Sequence, residues 1–202
     1  MQDHWEQVYS TRSADAVSWY QPHATRSLAW ISAAVGTEAA IVDVGGGASR
    51  LVDDLLGAGY RDLAVLDRAA AALQVARQRL GADGTKVRWI TGDITALPLP
   101  ANAFALWHDR AAFHFLTDAA ARSAYVAQLR RALRPGGHLI IATFGPDGPT
   151  RCSGLPVVRY SAPALQAELG ENFQLIEQAE ETHRTPAGAT QQFVYCHFLK
   201  TA

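Results

Sequence analysis

Residues Ile41 to Leu51 read IVDVGGGASRL: four residues of strand character, three glycines, then the start of a helical pattern. The preceding alanines extend the apolar run to AAIVDV, and its β-branched residues suit a strand covered on both faces. In ASRLVDDLLGAG, Leu51, Leu55 and Leu56 recur at helical spacing, and Gly57 and Gly59 end the pattern. Glycine lacks Cβ and tolerates positive φ, so Gly45, Gly46 and Gly47 let backbone approach a ligand where a buried strand stops. Asp43 adds one acidic residue at that point.

The same alternation continues outward. DLAVLD reads as a second strand and AAAALQVARQRLG as the helix after it. KVRWITGD and AFALWHD give two further strands. TDAAARSAYVAQLRRALRPGG is a long amphipathic helix expected to stop at Pro135 and two glycines, before the fifth strand HLIIATF. A Pro/Gly-rich loop leads to a short helix over Ser161 to Leu169. FQLIEQAEE and QQFVYCHFLK, joined by TPAGAT, read as an antiparallel strand pair. The first forty residues read as helical pieces around VSWYQPH. The expected fold is therefore α/β: a doubly wound, Rossmann-like, seven-stranded sheet, mostly parallel with an antiparallel last strand. In such sheets ligands bind beyond the carboxyl ends of the strands.

The 202 residues suit one domain. Within it, residues 1–40 form an aromatic covering segment, 41–144 a binding core, and 145–202 a loop with the terminal strand pair. Hydrophobic residues at 49% and charged residues at 18% fit a globular chain, and a net charge of −1 builds no basic stripe for nucleic acid. No apolar run has the length of a membrane span and no signal segment opens the chain, so a cytoplasmic protein without membrane partners is expected. Cys152 and Cys196 make neither a disulfide framework nor a metal motif. Oligomeric state is not legible.

A dinucleotide fingerprint, G-x-G-x-x-G, finds its first two glycines in Gly45 and Gly47 but meets Arg50 at the sixth position. A bulky cation there disfavours a nicotinamide oxidoreductase, and no P-loop is present. What remains is a tight loop for an uncharged or zwitterionic adenosyl ligand. Asp67, ending the second strand, is placed to accept from the hydroxyls of a ribose. Asp93, ending the third, is placed to accept from an adenine amine, with Ile94 against the ring.

DVGGGAS, LDR, GDI and LRPGGHLIIATF resemble the successive motifs of class I S-adenosylmethionine-dependent methyltransferases, from Ile41 to Phe144. The opening HWEQVY and VSWYQ is similar to the N-terminal segment of a branch holding bacterial small-molecule enzymes and lysine methyltransferases acting on elongation factor 1A. The resemblance implies S-adenosylmethionine as cofactor and S-adenosylhomocysteine as product. It implies that Trp5, Tyr9 and Tyr20 line the cofactor, that Gly45 approaches its methionine portion, and that Asp43, Gly46 and Gly47 are further cofactor-binding residues. Arg68 joins Asp67 at the ribose, Asp93 and Ile94 sit at the adenine, and Asp109 and Arg110 are further contacts. Trp5 and Tyr9, four apart, share a helical face, and such an aromatic face would attract a sulfonium and exclude water.

Methyl transfer is an in-line displacement in which the protein supplies alignment and a dry site. A base is needed only if the nucleophile arrives protonated. LWHDRAAFHFL offers His108, Asp109 and His114; His114 and Asp109 are the candidate catalytic residues, with a buried, hydrogen-bonded histidine as the plainer alternative. Acceptor-binding candidates are His108, His114, Phe144 and Cys152, the last in the loop FGPDGPTRCSGLPVVRY, where Arg151 and Arg159 also lie. No metal is expected. HDRA stands where NPPY or DPPY would mark amide or adenine-amine acceptors. The expected activity is methyl transfer to a small molecule (EC 2.1.1.-). A protein lysine methyltransferase and an inactive cofactor-binding partner module are its rivals.

Overall fold

The computed structural model describes residues 2–201. Helices α1 (Gln2–Thr11) and α2 (Thr25–Ala34) precede β1 (Ile41–Val44), α3 (Leu51–Gly57), β2 (Leu63–Asp67), α4 (Ala70–Leu80) and β3 (Val87–Thr91). Then come β4 (Phe104–Arg110), a 3-10 turn (Phe113–Phe115), α5 (Ala119–Ala132) and β5 (Leu133–Phe144). A small hairpin of β6 (Arg151–Cys152) and β7 (Leu155–Pro156), α6 (Ala162–Leu169), β8 (Phe173–Arg184) and β9 (Thr190–Lys200) complete the chain.

The main sheet has seven strands in the order β3-β2-β1-β4-β5-β9-β8. The strands β1 to β5 pair in parallel, and β9 runs antiparallel to both β5 and β8. The last strand is thus the reversed one, as the sequence predicts, and it is inserted between β5 and β8. Chain order reverses at β1, whose neighbours are β2 and β4, so the tips of these strands frame a switch-point crevice.

Side-chain alternation explains how the sheet is covered. Val42, Val44, Trp107, Leu139 and Ile141 face one core with Tyr125 and Leu129 of α5 and Leu165 and Leu169 of α6. Their sequence neighbours Ile41, Leu106 and Ile140 face the other, with Ile31 of α2 and Leu51 and Leu55 of α3. Burial on both faces is what an uninterrupted apolar run such as IVDV requires.

Three boundaries differ from the sequence reading. Helix α5 stops at Ala132 rather than at Pro135, and β5 already includes the LRPGG segment, with Leu133 opposite Phe104 before a register shift. Pro135 disfavours helical geometry at Arg134, and Gly136 takes φ +70°, so the chain leaves the helix extended. The strand β8 continues to Arg184, three residues past the predicted end. The loop after β5 contains the β6/β7 hairpin, whose turn has Ser153 and Gly154 at positive φ. No helix among the described residues is long and apolar enough to cross a membrane.

Candidate functional site

The glycine loop is locked by what surrounds it. Gly45 (φ +70°) and Gly47 (φ +44°) occupy left-handed backbone, and a Cβ at Gly45 would run into the Cβ of Ala112. A Cβ at Gly46 would strike the Asp43 carboxylate and sit 2.8 Å from Val65 Cγ1; one at Gly47 would sit 2.9 Å from Asp67 Oδ2. Arg50, partly exposed, only precedes α3; the buried Leu51 and Leu55 pack the helix on the sheet.

Beyond the tips of β1 to β4 opens a cleft of about 800 Å³, counting its mouth. Asp67 lines it, with Oδ1 accepting from the Ala69 N–H at 2.8 Å. Burial, only partly offset by that bond, raises its carboxyl to about 6. Arg68 does not stand free beside it but pairs with Asp93 across the cleft floor. Burial opposes the Asp93 charge, yet hydrogen bonds from the Thr95 N–H (3.0 Å) and hydroxyl (2.7 Å), with Arg68, hold its pKa below the usual carboxylate value. Ile94 completes this end.

The N-terminal segment forms the roof. Trp5 meets Trp19 and Phe115 edge-on, with centroids 5.6 and 5.0 Å apart, and Trp19 Nε1 donates to the Tyr9 hydroxyl at 3.2 Å. These four rings all line the cleft, whereas Tyr20 lines an adjoining pocket of about 540 Å³. Burial, then the nearby Asp67 charge, pushes the Tyr9 hydroxyl far up, so it stays protonated.

Asp43, Gly45, Gly46, His108 and Arg110 line that second pocket with Tyr20. Asp43 Oδ1 lies 2.7 Å from His108 Nδ1, and His108 Nε2 lies 2.9 Å from the Ser27 hydroxyl, a chain tying α2 to β1 and β4. Ser27 is fully buried, so this is no nucleophile's triad. Arg110 donates to the Tyr195 hydroxyl (2.8 Å) and the Trp19 carbonyl (3.0 Å) and lies 4.5 Å from the Phe193 ring centroid. Its Nη2 is buried and has no partner among the described residues, although Arg110 lines both pockets. An orphaned guanidinium nitrogen is costly, which marks a place for an acceptor from outside the chain.

Several sequence-predicted residues are not brought to the cleft. Asp109 is completely buried and accepts from the Tyr125 hydroxyl (2.7 Å) and from the N–H groups of Ala112 (2.9 Å) and Phe113. Burial raises it to about 6 against those bonds, but its oxygens are spent on shaping the turn after β4. His114 is also completely buried; the Phe144 N–H donates to its Nδ1 at 3.2 Å, and its ring packs between Phe115 and Phe144. Burial, helped by Arg110, holds its pKa down at about 3. Phe144 lies behind it, wholly buried. His108 faces the second pocket, not the main cleft. Of the acceptor candidates Cys152 alone lines the main cleft, 4.0 Å from the Ser18 hydroxyl, with its thiol pushed up to about 11 by burial. Arg151 and Arg159 bond to carbonyls of their own loop.

Phe115, Leu116 and Ala111 line the cleft without having been singled out for it. Ala111 carries a signal only in three dimensions, a non-glycine φ of +68° at a strand end, where strain clusters at functional sites. Phe115 and Leu116 belong to FHFL, whose four apolar or aromatic positions do not say which face a cavity.

Residues 41–137 match a family model described as a methyltransferase domain. The malonyl-[acyl-carrier protein] O-methyltransferase of Paenibacillus sp. (strain JDR-2) is 30% identical over 115 residues, 55% of this chain and 41% of that protein. The chain spans 41% to 61% of the length of the curated relatives it matches. Among solved structures, one concerning conversion of a disulfide bond into a thioacetal group during echinomycin biosynthesis superposes with a TM-score of 0.79 at 20% identity, covering 100% of this chain and 92% of that one. Burkholderia thailandensis 1,6-didemethyltoxoflavin-N1-methyltransferase, with 1,6-didemethyltoxoflavin and S-adenosylhomocysteine bound, gives 0.72 at 20% identity, covering 100% and 87%. At these identities the likeness is one of fold.

Proposed function

We propose that this chain is an S-adenosylmethionine-dependent methyltransferase acting on a small-molecule acceptor. The observation that carries this reading is the two-part site. A long chamber has carboxylates at the tips of β2 and β3, and the adjoining pocket sets the Asp43 carboxylate and the unpartnered Arg110 Nη2 around the bare glycine loop. An adenosine with a zwitterionic amino-acid tail matches that pattern of charge; a pyrophosphate does not match the carboxylates.

The residues present fit the cofactor. Asp67 accepts from ribose hydroxyls, Asp93 and Ile94 hold the adenine, and Arg68 steadies Asp93. Gly45 to Gly47 admit the methionine portion, Arg110 takes its carboxylate, and Asp43, oriented by His108, faces its ammonium. Trp5, Tyr9 and Trp19 keep the chamber dry and face the cation with π-clouds. Tyr20, in the second pocket, lies toward the tail. The bound cofactor supplies a methyl group already activated on a sulfonium. The protein's task is alignment in a water-excluded slot.

The family match over residues 41–137 and the methyltransferase names of the relatives support the same activity. The lysine-directed reading draws no support from those relatives. Titration calorimetry with S-adenosylmethionine, S-adenosylhomocysteine and NAD tests the proposal: binding of the first two and not the third is expected. Binding of NAD alone removes it, and binding of the cofactor with no methyl transfer to any metabolite extract favours an inactive binding module.

A further inference from the structure

The main cleft has two chemically different ends. Strand order puts the tips of β2 and β3 on one side of β1, and the turn after β4 and the loop after β5 on the other. Adjacent strands lie about 4.8 Å apart, so the β2 tip and the turn after β4 are separated by roughly 10 Å. Both cleft-lining carboxylates, Asp67 and Asp93, belong to the first side. The tip of β4, the turn after it and the loop after β5 contribute Arg110, Ala111, Phe115, Leu116 and Cys152 to the lining, with Trp5 edge-on to Phe115 and Trp19 edge-on to Trp5.

Among the described residues, no group lining that second side takes a proton near neutral pH. The Cys152 thiol is protonated in its buried setting. The Tyr125 hydroxyl donates to Asp109 and accepts from Trp107 Nε1. Arg110 is a cation. His183 approaches, but its Nε2 donates to the Ser18 carbonyl at 2.8 Å and it does not line the cleft. Asp109 and His114 are shut behind the wall. Among the described residues, a positively charged acceptor would find no carboxylate lining that side, only Arg110 and the rings of Trp5, Trp19, Phe115 and Tyr125.

Resting on the methyltransferase reading, we infer that the acceptor is an uncharged heteroaromatic molecule offering a lone pair free at neutral pH, from a ring nitrogen or a thione sulfur, and that no protein base takes part. The acceptor's lone pair forms the new bond to the methyl carbon as the methyl–sulfur bond breaks. That bond's electron pair stays on sulfur, leaving neutral S-adenosylhomocysteine. The positive charge passes to the methylated acceptor, and no proton moves in the step. Trp5, Trp19 and Phe115 suit both roles: flat apolar walls for a neutral ring, and π-faces for a charge moving from one partner to the other.

The test uses the intact protein with saturating S-adenosylmethionine. Quinoline and pyridine-2-thione are compared with phenol, a primary alkylamine and N-acetyllysine, following S-adenosylhomocysteine release and product mass. The heteroaromatics are expected to turn over at least about tenfold faster, with quinoline turnover flat between about pH 7 and 9. Phe115→Leu is expected to raise the KM for the heteroaromatic roughly fivefold while the S-adenosylhomocysteine Kd stays unchanged. Methylation confined to phenol or amines, no turnover of either heteroaromatic by protein that binds the cofactor, or a quinoline rate rising tenfold per pH unit would each overturn the inference. Failure to bind the cofactor at all would instead bring down the parent reading, and this one with it.

Discussion

The carboxylate of Glu6 caps the helix that begins at Ala70. Its oxygens accept from the Ala70 N–H at 2.6 Å and the Ala71 N–H at 3.1 Å, while Ala69, at the cap position itself, offers no side-chain acceptor. A residue of α1 thus satisfies the free donors of α4 and meets its dipole. The same bond pins α1, which carries Trp5 and Tyr9, over the cleft beside Asp67.

Removing that cap should loosen roof and helix together. Glu6→Ala is expected to cost about 0.5–2 kcal/mol of stability, as loss of a capping group does. It should also weaken S-adenosylmethionine binding, because the roof is no longer held. Glu6→Gln, which keeps an acceptor oxygen, should lose less on both counts. Urea denaturation and calorimetry read the two effects; an unchanged midpoint for Glu6→Ala would show that the cap carries no weight.

Asp67 is expected to stabilise the complex at the expense of the free protein. Its carboxyl is raised to about 6 from an ordinary value near 3.8, so the folded state prefers the neutral acid. That stability is fully present below the ordinary value and is lost as pH rises through about 6. At pH 7.5, Asp67→Asn should therefore leave the free protein as stable as wild type or more so, since the amide oxygen still accepts from Ala69. Cofactor binding should weaken by roughly 1.5–3 kcal/mol, typical of bonds to a charged group. Wild-type affinity should itself fall as pH drops below about 6. An affinity unchanged in Asp67→Asn would remove the ribose role.

How far the sequence reaches is seen in the contrast between Asp67 and Asp109. Asp67 ends β2 and Asp109 stands one residue before the end of β4, and chain alternation alone assigns each to a strand tip. Asp67 lies at a tip that opens into the cleft, whereas Asp109 meets a turn whose N–H groups fold back onto its carboxylate. Local pattern carries strands, crossovers and the glycine loop because period and turn chemistry are local. It does not carry the Glu6 cap, formed between residues 64 apart, or the burial of His114, which depends on Phe115 and Phe144 closing around it.

Gly45 tests the loop without touching a charge. An alanine there must adopt φ +70° and push its methyl group into the Cβ of Ala112, in the turn that lines the cleft. The backbone term alone costs about 1–2 kcal/mol. Gly45→Ala is expected to lower the melting temperature and abolish measurable cofactor binding. Gly36→Ala, whose Cβ would meet nothing within 4 Å, should change neither. Wild-type cofactor affinity in Gly45→Ala would mean that the loop and the turn after β4 can separate freely.

His114 should make the fold sensitive to acid rather than drive the reaction. With the Phe144 N–H donating to Nδ1, the neutral ring keeps its proton on Nε2, so protonation must occur at Nδ1 and break that bond inside a completely buried site. The folded pKa of about 3 lies below the ordinary 6.5, so the unfolded chain binds more protons between those values and stability falls as pH falls through 6.5. His197, lowered to about 4 by burial and by His138, pulls in the same direction; Asp67 and Asp109, raised to about 6, oppose it. A single wild-type profile mixes these terms, whereas its difference from His114→Gln isolates one. That difference should shift against wild type by about 2 kcal/mol between pH 7.5 and 5, at about 1.4 kcal/mol per pH unit below 6.5. Urea denaturation at the two pH values measures it. A difference independent of pH, or a His114→Gln protein that folds and binds cofactor normally yet has lost turnover, would return His114 to the reacting groups.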